Sequence, residues 1–143
     1  MTHKRESNYL LIKKIKKIEF ILASRLSAML FSFIFVYHLL ILLRLIPYEM
    51  TWGGRLESAE QMYRFEAASL ALNFLFVIVV IAKSRLVSQH KTTRWLNGIL
   101  WLMVVLFILN TLGNLASLNS LETYIFTPVT FVLAILCWRL AIE

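Results

Sequence analysis

Four long apolar runs constrain this chain more tightly than any motif it carries. They cover residues 28–46, 67–82, 95–113 and 124–141, and short stretches between them hold nearly all the charge. A helix that crosses a bilayer needs roughly 20 apolar residues, within a range of about 17–25. The first and third runs meet that length outright. The second falls short unless its helix begins upstream, and the fourth contains Pro128. Charged residues make up 16% of the chain and mean hydropathy is +0.73, whereas a soluble domain carries about 25% charge. A chain of 143 residues cannot hide that much apolar surface in one core. The expected fold is an all-α polytopic membrane four-helix bundle, a single membrane domain over residues 1–143.

The flanking charges predict its orientation. Lys4, Arg5, Lys13, Lys14, Lys16, Lys17 and Arg25 precede the first run, and Lys83, Arg85, Lys91 and Arg94 lie between the second and third. Arg139 sits near the end of the fourth. Twelve of the fifteen basic residues therefore fall on one side. The other side holds Arg44, Arg55 and Arg64 with Glu49, Glu57, Glu60, Glu66 and Glu122. By the positive-inside rule both termini are cytoplasmic. The net charge of +7 clusters beside apolar runs, which points to anionic lipid headgroups rather than nucleic acid. The first run is too long for a cleaved signal peptide. In "YLLIKKIKKIEFIL", Leu11, Ile15, Ile18 and Leu22 share a helical stripe opposite Lys13, Lys16 and Lys17. A basic amphipathic helix there would rest on the headgroups through Lys13, Lys14, Lys16 and Lys17.

Ser58-Ala59-Glu60-Gln61 fits a capping box, so the second helix should begin near Ala59, with Glu60 and Arg64 paired four apart. The loop of residues 47–66 carries "TWGGRL". Adjacent glycines favour a tight type I′ turn, centred on Gly53 and Gly54, which would face Trp52 towards Arg55 as a cation–π pair. The alternative is a loop whose glycines let a ligand approach the backbone. In the fourth run, either the helix starts at Pro128 behind a Thr127 cap, or it starts near Asn119 and kinks at the proline.

No catalytic motif is present: there is no G-x-S-x-G, H-E-x-x-H, P-loop or G-x-G-x-x-G. The lone Cys137 allows no intrachain disulfide, and no metal or cofactor is expected. What remains is a set of polar residues in the outer halves of the spans. At 1.5 Å per residue, His38 lies roughly 13 Å deep, and Asn73 and Thr127 about 10 Å. Asn110 and Asn114 end the third span, and Arg44, Glu49, Glu66 and Glu122 ring the rim. The inner halves read as almost wholly apolar. This asymmetry predicts an outer-leaflet polar pocket formed by His38, Arg44, Glu49, Glu66, Asn73, Asn110, Asn114 and Thr127, with Trp52 and Arg55 above it. Each residue also has a plainer role, as an interhelical hydrogen bond or a snorkelling side chain. Intramembrane ionisable groups are nonetheless default candidates for function.

The segments "LIPYEMTWGGRL", "EQMYRFE", "LNTLGN" and "TPVTFVLAILCWRLA" together resemble a group of uncharacterised small four-span bacterial integral membrane proteins. The resemblance implies a bacterial cytoplasmic membrane and carries no activity, ligand or site residue. The leading expectation is a non-catalytic protein that binds a lipid or a partner membrane protein, including a second copy, through the outer loop and pocket. One rival is a small oligomeric transporter, which requires His38 and Asn73 to face a shared cavity. The other is a membrane enzyme acting on a lipid or isoprenoid, which requires His38 within reach of Glu49 or Glu66.

Overall fold

The computed structural model describes residues 15, 18–91 and 94–143. The basic segment holding Lys13, Lys14, Lys16 and Lys17 lies outside them. Four helices dominate: α1 (Phe20–Leu42), α2 (Ala59–Ser88), α3 (Arg94–Leu115) and α4 (Thr127–Ala141). A π-helical turn, Glu122–Phe126, runs directly into α4. Among the described residues there is no strand. All four helices, the last counted as Glu122–Ala141, are long and apolar enough to cross a membrane. Their outer faces expose Met29, Phe33, Val36, Phe74, Ile78, Leu102, Leu109 and Leu112. Water would not tolerate so broad an apolar band on a monomer, whereas lipid tails solvate it.

Local chemistry sets the helix ends. The Ser58 hydroxyl caps α2 by accepting from the Gln61 N–H, as the capping-box pattern predicts. Gln61 reaches back to the Glu57 N–H, one residue earlier than the usual box. Helix α2 is thus 30 residues long, and the residues expected in the late part of the loop form its first two turns. At the other end of α1, Arg44 adopts φ 58°. Its N–H reaches Ile41 O at 2.8 Å, and the Leu45 N–H reaches Leu40 O at 2.9 Å. That is a Schellman closure with arginine where glycine is usual. His90, at φ 54°, closes α2 in the same way.

Helix α1 packs closely on α2, α3 closely on α4, and α1 on α4. The α2–α3 seam is much sparser, so the bundle is a ring left loosely closed on one side. Two ends can be distinguished. The loop end carries residues 43–58 and 116–121, and the terminal end carries Ile18, Glu143 and the α2–α3 connection. The terminal half is solidly packed around Ala23, Leu96, Leu100, Met103, Leu133, Cys137 and Leu140.

That half is less apolar than the sequence implies. Lys83 and Arg139, counted above as flanking charges, lie within α2 and α4 and are 0% and 5% exposed. Lys83 Nζ donates to Asn97 Oδ1 at 2.7 Å. Arg139 donates to Ile18 O at 2.6 Å and pairs with Glu143 at 2.9 Å. Ser84 donates to Ser24 at 2.9 Å. Each buried cation donates to an acceptor on another segment, and Arg139 also to Glu143 one turn along, which offsets the cost of its burial.

Candidate functional site

The loop half encloses a cavity of about 330 Å³. Helical periodicity builds its walls. Phe31, Ile34, Tyr37, His38 and Ile41 form one stripe of α1, while Ser69, Leu72, Asn73 and Phe76 form one stripe of α2. Phe107, Asn110, Gly113 and Asn114 come from α3 at the same spacing, and Glu122, Phe126 and Thr130 close the remaining side. The floor is aromatic. Phe31, Phe76 and Phe107 pack with ring centroids 5.6–5.9 Å apart. Beneath them lies the solid core of the terminal half.

The loop forms the roof. A hydrogen bond from the Gly54 N–H to Thr51 O, at 2.9 Å, closes a turn whose central residues are Trp52 and Gly53, at φ 55° and 71°. Both positive φ values match a type I′ turn, displaced one residue from the expected Gly53–Gly54 centre. The displacement forces a tryptophan into the left-handed region, which is costly for a bulky side chain. Two carboxylates hold it there. Trp52 Nε1 donates to Glu66 Oε1 at 2.8 Å, and the Gly53 N–H donates to Glu122 Oε2 at 2.8 Å. Asn119 Nδ2 also donates to Met50 O. The expected Arg55–Trp52 contact does not form. Trp52 packs on Phe65 instead, with centroids 4.8 Å apart. The Arg55 side chain lies against Gly53 and borders the cavity mouth.

Both carboxylates are bifunctional. Glu66 is 0% exposed and sits behind the wall. Its Oε2 is 2.6 Å from His38 Nδ1 while its Oε1 takes Trp52, so one side chain of α2 orients a residue of α1 and a residue of the roof. Glu122 takes the Ser117 hydroxyl at 2.6 Å as well as the Gly53 N–H, both on Oε2. The π turn brings Glu122 to this position. The Thr127 N–H reaches Glu122 O, a bond from i+5 to i, and the wider turn accommodates the proline ring of Pro128. The helix therefore neither starts at Pro128 nor breaks there. It begins behind Asn119, whose Oδ1 accepts from the Leu121 N–H at 2.9 Å.

Lower down, Thr111 and Thr130 hydroxyls meet at 3.0 Å, and Asn114 Nδ2 reaches Thr130 at 3.4 Å. Two buried polar atoms of the wall have no partner: Tyr37 OH and Asn73 Oδ1. Native structures leave few such atoms unsatisfied, and each one calls for an explanation.

The predicted residues thus divide. His38, Asn73, Asn110, Asn114, Trp52 and Arg55 line one cavity, with Glu66 directly behind it. Arg44 and Glu49 do not belong to it. Both are exposed, and the Arg44 guanidinium lies 5.3 Å from the Tyr63 ring centroid. The Schellman closure turns the chain at Arg44 and carries its side chain outward. Thr127 is also off the wall, because the π turn shifts the phase of the helix and leaves its hydroxyl 3.5 Å from Glu122 O. Tyr37, Gly53, Ser69 and Thr130 were not anticipated. Glu122 was read only as a rim charge. The i, i+3, i+4 spacing of Tyr37 and His38 from Ile34 and Ile41 was the available signal.

A polar roof over an aromatic floor suits an amphiphile, whose head would find donors and acceptors and whose tail would lie against phenyl rings. Among known proteins, this chain matches no family model, no curated protein and no solved structure.

Proposed function

We propose that this is a multi-pass membrane protein whose loop-end cavity binds a single amphiphilic molecule, a lipid or isoprenoid, with its head beneath the WGG roof. The carrying observation is the conjunction of a 330 Å³ cavity with two unpartnered buried polar atoms in its wall, Tyr37 OH and Asn73 Oδ1. The charge asymmetry supports both termini on the cytoplasmic side of the membrane and the roof on the other. The sparse α2–α3 seam is the natural route from the bilayer. A side chain at Gly113, in the α3 wall, would meet nothing within 4 Å, so space is open there. Native mass spectrometry of the protein released from detergent tests the reading. A bound lipid-sized mass that disappears in Gly113→Trp is expected, and a lipid-free wild-type protein after gentle extraction would refute it.

One observation favours a second reading. His38 Nδ1 lies 2.6 Å from Glu66, the arrangement in which a carboxylate orients an imidazole for proton transfer at its other nitrogen. The same pair would then act on the bound lipid head. Conversion of co-purified lipid by the wild type and its loss in His38→Gln, with binding retained, would establish catalysis.

A further inference from the structure

Glu122 is 8% exposed and lines the cavity, yet both protein donors that reach it converge on one oxygen. Those donors, the Gly53 N–H and the Ser117 hydroxyl, are neutral. No ion pair to Glu122 occurs among the described residues, and Arg55, exposed at the mouth, makes none with either buried carboxylate. Glu66, by contrast, has His38 beside it. A buried carboxylate without a cation is costly unless something positive or a proton joins it. Asn73, 5% exposed, stands in the wall of the same cavity with its Oδ1 buried and unpartnered. Aromatic rings line the cavity as well. The Tyr37 and Phe126 rings pack at 4.3 Å between centroids, and a cation over such faces is attracted to them.

We infer that the cavity takes the head of a cationic amphiphile, a primary ammonium on an alkyl chain. The ammonium donates to the free oxygen of Glu122 while its chain lies on the phenylalanine floor. This deepens the amphiphile reading and rests on it. A primary ammonium fits better than a quaternary one because it has a proton to donate to the Glu122 oxygen. An anionic head would meet Glu122 with no compensating cation except the solvated Arg55.

Three probes of equal chain length decide it: dodecylammonium, dodecanol and dodecanoate, each titrated into the full chain in an uncharged maltoside detergent. The readouts are the unfolding midpoint and Trp52 emission, isolated by replacing Trp95, Trp101 and Trp138 with Phe. The amine should bind at least tenfold more tightly than the alcohol, and the carboxylate least of all. Glu122→Gln keeps an acceptor for Gly53 and should remove the amine preference, leaving alcohol binding within about twofold. Ser69→Arg, which brings a cation to the cavity wall, should weaken the amine severalfold and favour the carboxylate, and serves if Glu122→Gln fails to fold. Equal binding of amine and alcohol, or an undiminished amine preference in a folded Glu122→Gln, overturns the cationic assignment but leaves the cavity reading intact. If none of the three probes binds, the cavity reading fails and this inference with it.

Discussion

At the terminal end Lys83, Asn97, Arg139, Glu143, Ser24 and Ser84 are drawn into hydrogen bonds between 2.6 and 2.9 Å. At the loop end Tyr37 and Asn73 line a cavity of about 330 Å³, and Tyr37 OH and Asn73 Oδ1 are buried without a partner. The ends are built from the same helices, and both hold hydrogen-bonded polar networks. What separates them is that the loop-end network stands beside a cavity whose wall leaves two polar atoms unpartnered. A closed network rigidifies a bundle, and an open set is what a ligand completes. Among the described residues, Ser27 Oγ, nearer the terminal end, is also buried without a partner.

The largest expected effect that tests it lies at the roof. Glu66→Ala removes the acceptor of both His38 and Trp52, and should destabilise the protein by about 2–4 kcal/mol. Trp52 emission should shift to the red as the roof releases. Unchanged stability with unchanged emission would mean that the roof does not depend on Glu66. At the opposite end, Asn97→Leu takes an acceptor from the fully buried Lys83 and should cost about 1–3 kcal/mol in detergent unfolding.

Gly53→Ala comes next, at about 1–2 kcal/mol, because alanine is strained at φ 71° and its Cβ would sit 3.4 Å from Arg55 Nε. Gly98→Ala, in the interior of α3 with open space beside it, should instead stabilise by up to about 1 kcal/mol. If both substitutions moved stability the same way, the left-handed roof would not be under the constraint described. Asn73→Leu should leave stability within about 1 kcal/mol, or raise it, while ligand retention in native mass spectrometry falls. This opposes Asn97→Leu: the same substitution in the two ends should separate stability from binding. The smallest readout is chemical. Cys137, 0% exposed in the packed half, should resist maleimide until the bundle unfolds. A cysteine at Ser69, on the cavity wall, should label under native conditions.

Much of the fold was legible because it follows from one-dimensional periodicity. The Ser58 cap, the Glu60–Arg64 pair and the four apolar runs are local patterns. The cap and the pair form as expected, and each run falls largely within a helix. The first helix is nevertheless Phe20–Leu42, starting eight residues before its expected run and ending four before that run's end. The membership of the cavity was half legible. His38, Asn73, Asn110 and Asn114 could be placed at one depth by counting residues, but depth alone does not fix a helix's rotation. Arg44 failed because a Schellman closure turned the chain, and Thr127 because a π turn changed the phase. Lys83 and Arg139 were assigned to the flanks by charge, and only their partners on other segments explain their burial.

The sequence by itself determined that the chain forms four apolar helices, where the second begins, and that polar residues gather towards one end of them. These depend on spacing within a few residues, where hydrogen bonding and hydropathy act locally. Only the tertiary structure decided which polar groups close on each other and which stay unpartnered. It alone set Glu66 between His38 and Trp52, and Glu122 beneath Gly53. The physical reason is that such contacts join residues as far as 121 apart in the chain, and helix rotation and turn geometry, not local pattern, bring them together.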